Sequence, residues 1–447
     1  MKFSPHSPSP AISFQEACSI MEAHVRAILA HNRFETEYRE LSKSLGRVLA
    51  APIIADRDQP PFPRVTRDGF AVRAQDVASG IPLRLVGQLR AGEAWPATRS
   101  PLQPGQAIEI MTGVPLPPGA DAVLMVEHVQ DPRDVGQKAP KTGQPFDLIV
   151  PQPRRSLQAG ENVVPRGSEA RRGQVLVGPG ARLGPDSVGL AASCGQRSLQ
   201  VYSEPAVAIL ATGDEIVELA TADGSVQSAQ PELESHQIYD SNSHALAALV
   251  KAAHAIPLLQ PAARDRKDDL SARIRQALSA APLLLLTGGV SMGRYDLVED
   301  VLAEIGAEFF FRGVRIQPGK PVVFGRLPAV NAQPPRYFFG LPGNPVSTMV
   351  TFRLFVQPLL AAMAAERHWQ PKIALAELTV DAQCKSGLTR FLPARMDTAA
   401  THHPSVTPVP TQGSGDLAAN ARANCYVICP DDCEILAVGQ TVRVLLR

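Results

Sequence analysis

Cysteine is scarce in this chain, with six among 447 residues. A long sequence so poor in cysteine is not a disulfide scaffold and must be held by its apolar core, as in a reduced compartment. Excess charge is also missing: 44 basic residues stand against 43 acidic ones. That removes the electrostatic basis for a general nucleic-acid or acidic-membrane partner. No run approaches the roughly 20 apolar residues of a membrane-spanning helix. The polar, Ser- and Pro-rich residues 1–11 lack the apolar centre of a secretory signal. These absences lead us to expect a soluble, cytoplasmic protein with neither nucleic acid nor membrane as partner. What is present is apolar substance, 45% of the residues, enough for three or more units of roughly 100–200 residues each. Cys425, Cys429 and Cys433 recur every four residues, a spacing that fits no common zinc or iron–sulfur pattern. They read as strand and turn cysteines.

The texture of the chain changes several times. Ser13 with Glu16 forms a capping box. Phe14, Cys18, Met21, Val25 and Ile28 follow at helical spacing, predicting a helix to about Ala30. A second short helix is expected over 37–50. From 60 to 129 come short β-type runs broken by Gly and Pro (83–86, 107–111, 122–126), then an exposed Pro/Gly-rich loop over 130–155. Further β runs are expected at 174–177 and 182–183. From Pro205 strands and helices alternate: strands at 207–210, 256–259, 283–286 and 337–339, helices at 243–254, 267–280, 297–305 and 346–364. Buried apolar strands between amphipathic helices indicate a doubly wound parallel sheet, whose ligands sit beyond the carboxyl ends of the strands. From 371 onward short β runs return, ending at 441–446. The expected fold is a multidomain α/β protein: a doubly wound parallel-sheet domain (205–366), a small β-rich domain (53–151), a discontinuous linker domain (11–52 with 152–204) and a C-terminal β-barrel (367–447).

Polar clusters fall where such a sheet would bind a ligand. Thr287-Gly288-Gly289-Val290-Ser291-Met292-Gly293 follows the most apolar strand, and Asp296 opens the next helix. Glycines there let backbone N–H groups approach an anion, beside the positive end of a helix. No Lys-Ser/Thr follows, so this is not a Walker loop. The bland alternative is a tight turn with Asp296 as a cap; the acidic residue makes chemical sense if it holds a divalent cation. Two Pro-Gly turns, Pro318-Gly319-Lys320-Pro321 and Leu341-Pro342-Gly343-Asn344-Pro345-Val346-Ser347, offer rigid walls, one cation and neutral hydrogen bonds, although either alone is routine punctuation. Thr212-Gly213-Asp214-Glu215 ends another strand, and Asp240-Ser241-Asn242 opens a helix that Asp240 could simply cap. Asp265 follows a third strand. Glu215, Asp240, Asp265 and Asp296 could therefore meet at one sheet edge, where several carboxylates beside a phosphate require cations.

These stretches, with Arg67-Asp68-Gly69-Phe70-Ala71-Val72 and Met111 to Ala122, together resemble the MoeA family, the molybdopterin molybdenumtransferases, which include the E domain of gephyrin. Seven motifs in order, from about Ala17 onward, carry the resemblance. It implies a molybdopterin-binding α/β domain in an elongated four-domain homodimer, with a cleft shared between the α/β domain of one subunit and the small β module of the other. It also implies that Asp68, Thr112, Glu215, Asp265 and Asp296 serve molybdenum insertion, with Glu215 and Asp296 holding the metal. The adenylated pterin would lie on Asp240, Ser241, Asn242, Gly288, Gly289, Ser291, Gly293, Pro318, Gly319, Lys320, Pro342, Gly343, Asn344, Pro345 and Ser347. Arg395 and Ser414 match polar positions near the cleft. The chain departs from the family pattern in several places. Arg67 stands where Met is usual, Phe70 where Tyr is, and Gln317 where a basic residue precedes the Pro-Gly, leaving Arg312 or Arg315 as substitutes. Residues 221–236 make a longer loop than usual, and Arg166 matches a family arginine within a basic, Gly-rich run.

The activity so implied is transfer of molybdenum from molybdate to adenylyl-molybdopterin with release of AMP, with Mg2+ against the pyrophosphate and Thr112 among the donors to molybdate. Any of the carboxylates can serve as base on this reading. Implied partners are the preceding adenylyltransferase and the recipient molybdoenzymes. Two competitors stand beside it. The adenylation step itself uses a similar Gly-Gly-Val-Ser turn but needs neither the N-terminal β module nor the barrel. A non-catalytic scaffold of the same fold would not need the acidic set.

Overall fold

The computed structural model describes residues 11–31, 33–130, 148–152, 156–219, 232–289, 297–328, 334–398 and 403–447. They group into two compact units, one comprising 51–179 and 185–198, the other 1–50, 180–184 and 199–447.

In the first unit a five-stranded sheet runs in the order Ala122–Met125, Gly69–Val72, Gln106–Ile110, Leu83–Leu89, Leu148–Ile149. Neighbouring residues on a strand point to opposite faces, and here both faces are buried. Val72, Ala107 and Leu124 enter one core, while Ala71, Ile108 and Val123 enter the other. That two-sided burial is why the strands read as short apolar runs rather than as clean alternation.

The second unit is built on a six-stranded sheet in the order Ile256–Leu259, Ala206–Ala211, Leu283–Thr287, Arg336–Leu341, Val323–Leu327, Glu308–Arg312. The first four strands are parallel. The last two are antiparallel and extend one edge. Helices Ser241–Ala252, Lys267–Ala280 and Leu297–Glu304 supply apolar stripes to the cores on the two sheet faces. The helix Phe14–His31 begins at the expected capping box: the Ser13 hydroxyl accepts from the Glu16 amide at 3.1 Å, and the Ser13 amide donates to the Glu16 carboxylate at 2.7 Å. Its buried face, Ala17, Met21, Val25 and Ile28, joins the core of one sheet face.

Three expectations need correction. The helix expected over 37–50 is instead a strand, Thr36–Glu40, followed by a 3-10 turn, Leu41–Lys43. Pairing with Ser198–Tyr202, far off in sequence, overrides local helix preference. The buried Arg47 fastens this region, donating to the Glu37 carboxylate at 2.5 Å and to the Tyr202 carbonyl at 2.8 Å. Second, 182–183 forms no strand; Arg182 makes a single bridge with Val48. Third, one helix does reach spanning length. Pro345–Met363 has 19 residues and a mean hydropathy of 1.4, yet 78% of it is buried, as in the core helix of a globular protein. It contains a π-helical turn, Phe352–Val356.

Beyond this helix five strands close on themselves as a barrel: Thr389–Asp397, Ser405–Pro408, Ile373–Leu378, Thr441–Leu446 and Cys425–Cys429, with the first pairing the last. The barrel is joined to the α/β part by a short parallel pairing of Ile316–Gln317 with Thr389 and Arg390. Cys425 and Cys429 are buried strand residues, and Cys433 follows in the turn; all six cysteines are free thiols.

Candidate active site

Three turns meet at the carboxyl ends of the parallel strands, as a doubly wound sheet requires. Gly288 leaves the strand Leu283–Thr287 with φ +86°, and a Cβ built there would lie 2.4 Å from the Thr212 carbonyl oxygen. Only glycine permits that approach. A Cβ added to Gly343, in the third turn, would lie 3.7 Å from the Gly288 Cα. Asn242 ties the turns together: its Nδ2 donates to Thr287 Oγ1 at 2.9 Å and to the Gly343 carbonyl at 2.6 Å. The Oδ1 of Asn242 is buried without a hydrogen-bond partner among the described residues. A buried acceptor left unpaired is costly, so it is suited to a donor supplied by a ligand.

Between these turns lies a cavity of about 670 Å3, within the range of small-molecule sites. Glu215, Asp240, Ser241, Asn242, Gly288, Gly289, Pro342, Gly343, Asn344 and Pro345 line it, all anticipated from sequence, together with Thr212 and Tyr239, which belong to the same motifs but were given no site role. Glu215 is exposed, its carboxylate folded over Gly213. Asp240 is buried and caps its helix, accepting from the Ser243 amide at 2.9 Å, so the cap reading holds for its Oδ1.

A second cavity, about 270 Å3, shares Pro321, Pro342 and Asn344 with the first and extends toward the barrel. Pro318, Gly319, Lys320, Ser347 and Ser414 line it as anticipated. Its other cation was missed: Arg390, on the barrel strand register-paired with Gln317. Lys320 and Arg390 make the wall cationic, and the Ser347 and Ser414 hydroxyls add neutral donors. The start of the helix Pro345–Thr351 is pinned here, the Val346 amide donating to the Ser414 carbonyl at 3.0 Å.

In the other compact unit Asp68 and Thr112, separated by 44 residues, are directly bonded. Asp68 Oδ1 accepts from the Thr112 amide at 2.7 Å and from its hydroxyl at 2.9 Å. The amide first, and the hydroxyl next, hold the Asp68 carboxyl below its ordinary range, so the exposed side chain stays anionic.

Several expected members stand apart. Asp265 lines neither cavity; it is exposed, with its amide directed 3.3 Å from Asp214 Oδ1. Arg395 is exposed on its strand and lines neither cavity. Arg312 is bound by Glu299 at 3.3 Å and lies over the Phe309 ring, and neither it nor Arg315 lines either of these two cavities. Arg390, not these two, lines the smaller cavity together with Gln317. Arg166 pairs with Asp58 at 2.9 Å. Ser291, Gly293 and Asp296 lie outside the described residues. Among the described residues no three His, Cys, Asp or Glu groups gather as a metal site.

This geometry meets an independent finding. Three family models match the chain consecutively: the MoeA N-terminal region (domain I and II) over 12–195, a probable molybdopterin binding domain over 208–362, and the MoeA C-terminal region (domain IV) over 376–446. The molybdopterin molybdenumtransferase of Bacillus subtilis is 32% identical over 421 residues, 92% of this chain and 90% of its own. The chain belongs to the MoeA family. A Haemophilus influenzae relative of the same description is 31% identical and spans 92% of this chain and 93% of its own. A MoeA structure from Pyrococcus horikoshii aligns at TM-score 0.67 with 29% identity, covering 98% of this chain and 99% of that one. A second, at 24% identity and TM-score 0.71, supports the fold. MoeA membership makes the chain a transferase of molybdenum cofactor biosynthesis, and because the N-terminal and C-terminal models match as well as the central one, the preceding adenylation step is not favoured.

Proposed function

We propose that this chain transfers molybdenum from molybdate to adenylyl-molybdopterin and releases AMP. The observation that carries the reading is the pair of adjoining cavities at the carboxyl edge of the sheet, one large and hydrogen-bonding, the other small and cationic. The adenylated pterin takes the larger one. There the unpaired Oδ1 of Asn242 accepts from its amide or amino donors, and the Gly288 and Gly343 backbones form the walls. Molybdate, a substrate dianion, takes the smaller one, where Lys320 and Arg390 offset its charge and Ser347 and Ser414 donate.

Mg2+ fits the residues present. Glu215 is an exposed carboxylate on the cavity wall without two further protein ligands beside it among the described residues. Mg2+ is commonly held by one or two carboxylates plus substrate phosphate oxygens rather than by an all-protein cage. Glu215, with Asp296 assigned from sequence, would hold it, and the cation would polarise the pyrophosphate so that AMP leaves more readily. The chain's own residues orient the anhydride and keep the two substrates in adjoining compartments.

The same reading includes Asp265 as a proton-handling group beside Asp214, and Arg395 in the barrel as a cleft cation. It includes a homodimer whose cleft is shared between the α/β domain of one subunit and the small β module of the other, where the Asp68–Thr112 pair serves. The four-part division at 11–52 with 152–204, 53–151, 205–366 and 367–447, a cytoplasmic location, and hand-over from the adenylyltransferase and to recipient molybdoenzymes complete it.

The deciding experiment incubates purified protein with adenylyl-molybdopterin, Mg2+ and molybdate and measures AMP. Molybdate-dependent AMP release is expected. ATP consumption with formation of adenylyl-molybdopterin would instead assign the preceding step, and neither reaction would leave a scaffold.

A further inference from the structure

A group of thiols gathers at one end of the barrel, and none of them lines either cavity. In sequence only Cys425, Cys429 and Cys433 stand near one another; the fold adds Cys384. Two short strands, Ala382–Gln383 and Ile435–Leu436, pair antiparallel with Gln383 opposite Ile435. The ladder continues past their ends. The Cys384 amide donates to the Glu434 carbonyl at 2.8 Å, and the Gly387 amide to the Asp431 carbonyl at 2.8 Å. Cys433 stands between these two acceptors, one residue from the position opposite Cys384. From the barrel side Cys429 closes the strand Cys425–Cys429, in the core against which Cys384 and Cys433 pack.

The three thiols differ in access. Cys429 is buried, whereas Cys384 and Cys433 are half-buried. Cys433 sits in a turn beside the exposed Asp431, Asp432 and Glu434, its thiol donating to the Ile435 carbonyl at 3.0 Å. Burial foremost, then the adjacent Cys429 thiol and the Cys433 thiol, push the Cys384 thiol up, so it rests protonated. Among the described residues no three such groups are arranged to hold a metal. Two sulfurs suffice for a disulfide, which needs Cα atoms within about 7 Å. Directly opposed residues of an antiparallel ladder stand about 4.5–5.5 Å apart, which brings a position one residue away into range. The neighbouring Gln383 carbonyl accepts from Arg390 Nη1 at 2.6 Å, so the thiols adjoin the anchor of the smaller cavity's guanidinium.

We propose that Cys384 and Cys433 close to a reversible disulfide when the protein meets hydrogen peroxide. The accessible Cys433 sulfur, as thiolate, attacks one peroxide oxygen. An S–O bond forms, the O–O bond breaks, and hydroxide leaves to become water with the proton that Cys433 released. The Cys384 sulfur then displaces the hydroxyl of the Cys433 sulfenic acid. The S–S bond forms, the S–O bond breaks, and a second water leaves with the Cys384 proton. Two thiols are oxidised by two electrons as one peroxide becomes two waters. A dithiol reductant restores both thiols by exchange. The inference is independent of the activity proposed above.

The test uses the full chain carrying Cys18→Ser, which removes the exposed thiol open to cross-linking between molecules. Equimolar hydrogen peroxide is expected to consume two of the five remaining thiols. Mass spectrometry of the alkylated, digested monomer should show Cys384 joined to the peptide holding Cys433, with the loss of two hydrogens, and dithiothreitol should reverse it. Cys433→Ser and Cys384→Ser should each lower the yield of this cross-link at least tenfold. Cys429→Ala should keep it. Both serine variants replace half-buried side chains, so if one fails to fold the other still decides. A cross-link that survives Cys433→Ser, one that is lost only with Cys429→Ala, or oxidation that stops at sulfinic acid without any cross-link overturns the inference.

Discussion

Gly288→Ala is the sharpest test of the turn geometry, because the chain supplies its own control. Gly288 and Gly306 share φ +86°, so an alanine at either meets the same left-handed backbone penalty, about 1–2 kcal/mol. They differ in what surrounds them. At Gly306 nothing lies within 4 Å of an added Cβ; at Gly288 the Thr212 carbonyl oxygen is at 2.4 Å and its Oγ1 at 3.1 Å. A backbone oxygen cannot rotate away as a side chain can. Thr212 is further held by its amide, which donates to the Thr287 carbonyl at 2.9 Å. The added methyl must therefore displace one turn from the other, at an overpacking cost of about 1–3 kcal/mol beyond the dihedral penalty. Gly306→Ala should lose about 1–2 kcal/mol of stability in denaturant unfolding and keep wild-type molybdate-dependent AMP release. Gly288→Ala should lose about 2–5 kcal/mol on the same costs and lower turnover at least tenfold, since about 1.4 kcal/mol of misplacement at the transition state suffices for that. If the two variants unfold alike and turn over alike, the close approach of the two turns is not what shapes the site.

Asp68→Asn should lower turnover at least a hundredfold with unchanged circular dichroism, and near-normal turnover would remove Asp68 from the reaction. Thr112→Val removes the hydroxyl donor but keeps the amide, so the Asp68 carboxyl pKa, followed by carbon-13 NMR, should rise part of the way toward its ordinary value; no rise would contradict the bonding described. Arg47→Ala should destabilise the α/β unit by about 3 kcal/mol in denaturant unfolding, at the low end for breaking a buried pair because Glu37 remains partly exposed to water. A loss below about 1 kcal/mol, the size of a surface pair, would refute the buried anchor. His24, packed 3.9 Å from the Phe310 ring, has its pKa lowered, by burial first and by Arg326 next. The native state therefore prefers the neutral ring, and stability should fall as pH drops below about 6.5, where the unfolded chain takes up the proton. His24→Leu should flatten that decline, and an unchanged pH profile would refute the assignment.

The parts legible in the sequence were those whose local pattern and tertiary role agree. The helix Lys267–Ala280 was read with its observed ends because Leu270, Ile274, Ala277 and Leu278 form one buried stripe. The strand Leu283–Thr287 was read because complete burial demands an unbroken apolar run. The antiparallel edge strands Glu308–Arg312 and Val323–Leu327 escaped notice: a Phe-Phe-Phe run and a central glycine give no alternation to detect. Thr36–Glu40 was misread because its strand identity rests on a partner more than 150 residues away. In the site, Gly- and Pro-rich turns were visible since their backbones need those residues. Arg390 was not, because nothing separates a cation facing a cavity from any other charged strand residue until the register with Gln317 is known.

The same distinction explains why the acidic set divided. Asp240, Asp265 and Glu215 each follow a strand, so sequence alone could bring all three to one rim, with a helix cap as the alternative for Asp240. Their local bonds separate them. Asp240 is committed to the Ser243 amide, and Asp265 stands outside both cavities, leaving Glu215 on the wall with a carboxylate unclaimed by a helix cap. A site with several exposed carboxylates would repel a pyrophosphate and require several cations. One with Glu215 as the carboxylate not taken up by a cap, Asp240 being tied to its helix, a neutral amide at Asn242 and cations set apart in the adjoining cavity can admit a polyanion with one cation between them. The neutral side chain is thus as informative as the acidic one. Asn242 holds two turns by its Nδ2 and keeps an acceptor, its Oδ1, unpaired beside the cavity, a division of labour that an aspartate, which only accepts when ionised, cannot perform.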